Sequence, residues 1–99
     1  MNIKIHSIRF DADKKLLDFI NAKLKKLLQF YDGIIMAEVF LRLEKVQDME
    51  NKITEIKIEI PGNDLFAKKQ SKTFEEATDS AVEAIRRQIL KFKKKQAKA

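Results

Sequence analysis

The sequence predicts an α+β domain in which two helices pack on one face of a four-stranded, mostly antiparallel sheet. Three observations carry this. Four segments alternate apolar and polar side chains with the period of two expected of half-buried strands. Two longer segments repeat apolar residues at spacings of three and four, which gives a helix one buried stripe. The segments follow one another as β-α-β-β-β-α. Strands with one apolar face and helices with one apolar stripe are satisfied together when both helices lie on the same side of the sheet. The chain has 99 residues, 44% of them hydrophobic, which suits one modest core and not two. A single domain is expected over residues 1–95, with 96–99 as a basic C-terminal tail.

The first strand is "NIKIHSIR", where Ile3 and Ile5 alternate with Lys4 and His6. Asp11 or Asp13 then offers a carboxylate to the free amides that open a helix. That helix runs from about Lys14 to Phe30, with Leu16, Ile20, Leu24, Leu27 and Leu28 on one face, and "YDG" ends it. Gly33 is expected there as a left-handed cap. In "AEVFLRLEK", Val39, Leu41 and Leu43 oppose Phe40, Arg42 and Glu44, and in "TEIKIEI" Ile56, Ile58 and Ile60 oppose Glu55, Lys57 and Glu59. Polar "QDMEN" between them reads as a hairpin loop. "PGND" at 61–64 is a turn before a weaker strand, about Leu65 to Lys72. Thr73 and Glu76 have capping-box spacing and open a helix to about Lys95. Its buried stripe is Phe74, Ala77, Ala81, Ile85, Ile89 and Phe92.

Composition removes most chemistry. No Cys is present, so disulfides and thiolate ligands are excluded. His6 is the sole His, on the polar side of an edge-like strand, so neither a catalytic triad nor a metal cluster can form around it. Glu55 and Glu59 share a strand face with Lys57 between them, which is ordinary cross-strand charge balance. The two Gly stand alone in turns, and no phosphate-cradling loop exists. No enzyme, cofactor, metal or small-molecule substrate is expected. The N-terminus lacks the apolar core of a signal peptide, and no apolar run approaches the roughly 20 residues that span a bilayer. A cytoplasmic protein without membrane contact is expected.

Charge is the informative feature. Seven of the 21 Lys and Arg fall in the last fourteen residues, "RRQILKFKKKQAKA", which contain no acid. The preceding 85 residues carry 14 basic and 15 acidic side chains, a net −1. Acids early and bases late suit the helix macrodipole, but two or three cations would serve that purpose. Arg87, Lys91 and Lys95 are four apart and form one stripe beside the apolar face. Lys23 and Lys26 lie beside the apolar stripe of the first helix. With the helices side by side, both rows can border one groove, an arrangement suited to tracking a phosphate backbone. Phe92 is the one aromatic among these cations and is assigned to the core, which leaves no base-stacking platform. Structured RNA read by shape and backbone is the favoured ligand. A general double-stranded RNA-binding module and a protein-interaction domain docking an acidic partner fit the same charge.

The run "FINAKLKKLLQFYD", then "LRLEKV", then "FEEATDSAVEAIRRQILKFKKK" resembles the ribosome hibernation-promoting factor family, also called ribosome-associated inhibitor A or sigma-54 modulation protein. The resemblance extends from Asn2 to about Lys95 and includes the element order. It implies binding to the rRNA of the small ribosomal subunit, in the channel used by messenger and transfer RNA. It further implies inhibition of translation by occupancy during stress or stationary phase, with other hibernation factors as possible partners. The chain length matches the family's short form. By position, the resemblance implies rRNA contacts at Lys23, Lys26, Arg87, Lys91 and Lys95. Ala84 stands where many relatives carry Lys, and Arg86, Lys93 and Lys94 are placed to compensate, so Arg86 and Lys94 join the expected set.

Overall fold

The structure is a computed structural model describing residues 2–44 and 51–97, with side chains described through residue 94. Its elements are β1 (Asn2–Ile8), α1 (Lys14–Phe30), β2 (Met36–Leu43), β3 (Lys52–Ile60), β4 (Asn63–Ser71) and α2 (Phe74–Ala97). The sheet order is β1-β2-β3-β4. β1 pairs with β2 in parallel, while β2–β3 and β3–β4 are antiparallel. The parallel pair follows from connectivity, because parallel neighbours need a long crossover and α1 supplies it. The other two connections are hairpins. The expected β2–β3 loop at 47–51 lies, apart from Asn51, outside the described residues.

Both helices cover one face. α2 lies over β3 and β4, with α1 beside it and against β1. The core joins Leu16, Ile20, Leu24 and Leu27 of α1 to Val39, Leu41, Ile56, Ile58 and Ile60 of the sheet and to Ala81, Ile85 and Ile89 of α2. On the opposite face the polar half of each strand alternation forms cross-strand pairs. His6 meets Glu38 at 2.8 Å and stacks on Phe40, Arg42 meets Glu55 at 3.4 Å, and Lys57 meets Asp64 at 3.8 Å. Glu55 and Lys57 are thus paired across strands, as their alternation predicts.

Local signals act where expected at both helix starts. The Asp13 carboxylate accepts from the Leu16 amide at 2.9 Å, and the Glu76 amide donates to the Thr73 hydroxyl at 3.1 Å. Pro61-Gly62 forms the last hairpin turn, with Gly62 at φ +77°, open to glycine without strain. β4 consequently begins at Asn63, two residues before the expected start.

Two expectations change, and one buried contact is new. Gly33 is not a left-handed cap. α1 ends at Tyr31, which is extended at φ −147°, while its amide still bonds to the Leu27 carbonyl at 3.1 Å. A Cβ at Gly33 would lie 2.7 Å from the far end of the Tyr31 ring, which would have to shift to admit it. Phe92 is half-buried instead of core, packing edge-on against Tyr31 with centroids 6.4 Å apart. Thr54 and Thr78 are fully buried, with their hydroxyls 3.3 Å apart. That pair is a polar contact inside the core that alternation alone does not reveal.

Candidate nucleic-acid interface

α1 presents Lys23 and Lys26 on the flank next to its buried Leu24–Leu27 stripe, because residues three apart on a helix are neighbours. α2 answers across the interhelical seam with Asp79, Val82, Glu83 and Arg86. With Leu27 and Phe30 these side chains line a groove of about 410 Å³. A groove thus runs between the helices, and α2 contributes Arg86 to it and not the stripe that begins at Arg87. Arg87 borders a separate hollow with Lys69, Ser80, Asp79 and Glu83, on the β4 side of α2. One residue along a helix is a rotation of about 100°, enough to carry a side chain from one flank to the other.

The roll of α2 follows from its fully buried stripe, Ala77, Ala81, Ile85 and Ile89, which faces the sheet. Gln88 reaches the outer edge of β4, where its amide donates to the Phe66 carbonyl at 2.8 Å and accepts from the Phe66 amide at 3.4 Å. This occupies backbone groups that an edge strand otherwise leaves unpaired. With Gln88 turned to β4, Arg86 faces α1, and Arg87 faces away from the groove. Lys91, four residues after Arg87, is exposed on that same stripe, and Lys94 is exposed as well. Lys95 lies on α2 beyond the last described side chain. The structure thus brings Lys23, Lys26 and Arg86 together and leaves Arg87, Lys91 and Lys94 outside the groove.

The groove is also not uniformly positive. Lys23 meets Asp79 across the seam at 2.9 Å and lies 5.4 Å from the Phe19 ring centroid. Both acids of the groove, Asp79 and Glu83, come from the first half of α2, while its cations are Lys23 and Lys26 of α1 and Arg86 of α2, so the two signs are interspersed along the seam. Aromatic groups enter from a segment that sequence spacing does not connect to the cations. The Arg86 guanidinium lies 4.8 Å from the Phe30 ring centroid, and the Lys93 ammonium lies 5.0 Å from the same ring. Lys93 is also 5.9 Å from the Tyr31 ring. The expectation of no aromatic among the cations does not hold: Phe19 lies one turn before Lys23 on α1, and two further rings meet the cations of α2. Phe30 and Tyr31 sit more than fifty positions upstream, at the end of α1.

Among the described residues, no group of three His, Cys, Asp or Glu is placed to hold a metal ion. No described helix is long and apolar enough to cross a membrane. Leu90 is exposed, and nothing in the structure accounts for it.

Comparison with known proteins places this arrangement. The chain is 28% identical over 95 residues to a ribosome hibernation promoting factor of Klebsiella oxytoca, covering 96% of this chain and 94% of that one. It is 26% identical over 95 residues to the ribosome hibernation promoting factor of Escherichia coli K12, covering 96% of each. The fold matches a ribosomal subunit interface protein from Coxiella burnetii with a TM-score of 0.84 at 20% identity, over 94% of this chain and 98% of that one. The N-terminal domain of Thermus thermophilus Protein Y superposes with a TM-score of 0.79 at 27% identity, over 93% and 99%. The family model described as sigma 54 modulation protein / S30EA ribosomal protein matches residues 3–97, and the chain belongs to that family.

Proposed function

We propose that this protein binds the small ribosomal subunit through its rRNA and inhibits translation by occupying the channel used by messenger and transfer RNA. The observation that carries the reading is the groove between α1 and α2, where Lys23, Lys26 and Arg86 converge beside the basic second half of α2. Membership in a non-enzymatic, ribosome-binding family supports it. Long cations on a rigid pair of helices can follow a folded phosphate backbone, and their binding energy comes largely from releasing counterions. Arg87, Lys91 and Lys94 lie outside the groove and extend the cationic surface around α2, and Lys95 follows them in sequence. They are proposed to contact neighbouring phosphates. Inhibition by occupancy is reversible and follows mass action. Action in the cytoplasm during stress or stationary phase, alongside other hibernation factors, belongs to the same proposal.

Sedimentation tests it. The protein should co-migrate with small subunits in a sucrose gradient, and the complex should dissociate as salt rises. Each phosphate contact contributes a slope of about −0.9 in log affinity against log salt for a duplex. Binding any RNA duplex equally well would favour a general double-stranded RNA module. Failure to bind either would refute RNA recognition and favour an acidic protein partner. In translation assays, excess initiator transfer RNA with messenger should compete the protein away and restore synthesis, leaving the rRNA uncut.

A further inference from the structure

We infer that Phe30 is a positioning residue for the RNA-binding surface, holding Arg86 and Lys93 as a pre-set pair of cations; this rests on the function proposed above. Arg86 and Lys93 are seven residues apart, two turns along α2, and both are long side chains that solvent alone would leave disordered. The Phe30 ring centroid lies 4.8 Å from the guanidinium carbon and 5.0 Å from the ammonium nitrogen. Two cations that share one ring are held within about 10 Å of each other, a spacing their mutual repulsion would otherwise widen. The negative faces of the ring offset that repulsion.

The placement of the ring is itself supported. Leu27, one turn earlier, takes the buried position of α1, which leaves Phe30 half-buried at the mouth of the groove. Tyr31 follows it in extended backbone, lies 5.9 Å from Lys93 and is braced edge-on by Phe92. Gly33 leaves the space that the Tyr31 ring occupies. The end of α1 is therefore an aromatic shelf beneath the cations of α2. A phosphate backbone arriving there meets charges already in place, and less side-chain freedom is lost on binding.

The test uses Phe30→Leu, which keeps an apolar side chain and removes the ring, with Phe30→Tyr and Phe30→Trp as ring-retaining variants. In the free wild-type protein, the Cδ protons of Arg86 and the Cε protons of Lys93 should be shifted upfield by the ring current, and Phe30→Leu should abolish the shift. Ordering one freed side chain weakens association by about two- to twelvefold, so releasing both should reduce affinity for small subunits at least about fivefold. The salt slope should stay unchanged, because no charge has been removed. Tyr and Trp should restore affinity, and a thermal melt of each variant separates loss of positioning from loss of fold. Unshifted protons in a wild-type protein that binds small subunits overturn the inference alone. Wild-type affinity in Phe30→Leu overturns it as well. A wild-type protein that ignores small subunits removes the proposed function, and the inference with it.

Discussion

Replacing Asp79 with Asn should strengthen RNA binding. In the groove, Asp79 holds the Lys23 ammonium at 2.9 Å and places a negative charge where phosphate is proposed to lie. The substitution keeps the side chain's size and removes both obstacles at once. Lys23 still rests against Phe19, 5.4 Å from its ring centroid, so it is freed without leaving the groove. One additional cation available to phosphate adds about 0.9 to the salt slope. Referred to 1 M salt, that amounts to roughly eightfold tighter binding at 0.1 M, shrinking steadily as salt rises. The fold should lose little. The side chains of Lys23 and Asp79 are 34% and 52% exposed, and exposed ion pairs contribute about 0–1 kcal/mol. For a domain of this size, 1 kcal/mol corresponds to a melting shift of roughly 4–8 °C at most.

The assay is equilibrium binding of labelled protein to small subunits across a salt series, with Glu59→Gln as control. Glu59 lies on β3, on the sheet face opposite the helices, and its loss changes the net charge of the protein equally. Asp79→Asn should steepen the slope, while Glu59→Gln should change affinity only slightly. Equal effects would show that net charge governs binding and that the groove has no special part. Weaker binding by Asp79→Asn would refute the geometry outright.

Two further outcomes follow from the core. Ile89→Ala should destabilise the fold by about 2–5 kcal/mol, whereas Phe92→Ala should fall below the roughly 3–5 kcal/mol of a fully buried ring; chemical denaturation measures both. Thr78→Val leaves the buried Thr54 hydroxyl without its partner and should cost about 1–3 kcal/mol, while the Thr54→Val, Thr78→Val double variant should recover part of that loss in the same measurement.

What could be read from the sequence was whatever depends on near neighbours along the chain. The bounds of α1, the caps at Asp13 and Thr73, the strand alternation and the Pro61-Gly62 turn all rest on interactions within a few residues. Gly33 stands out in the sequence as a cap, but what it meets in the fold is the Tyr31 ring and not a left-handed backbone angle. The buried stripe of α2 is legible, but which neighbour lies on each flank is not: Gln88 meets the backbone of Phe66, twenty-two residues away, and Arg86 meets α1. Helical spacing correctly places Arg87 and Lys91 on one stripe but cannot say which neighbour that stripe faces. The Phe30 contacts to Arg86 and Lys93 were hidden for the same reason: the ring and the cations meet only when two helices pack.

Phe92 shows how the fold and the charge distribution are connected. Its helical position continues the buried stripe of Ile85 and Ile89, yet it is only half-buried. α2 has 24 residues, roughly 36 Å of helix at 1.5 Å per residue. β4, the strand it runs back along, has nine residues, roughly 30 Å at 3.3 Å per residue. The helix exceeds the strand by only about 6 Å, roughly its last four residues, and Phe92, which precedes them, packs against Tyr31 of α1. Fold stability therefore draws on α2 up to about Ile89, the last of its fully buried residues. Beyond that point composition is freed from packing, and there the sequence turns basic without compensating acids. The part of the helix after Ile89 is thus free to carry cations, and among the described residues the aromatic end of α1 contacts Lys93 there and Arg86 one turn before Ile89.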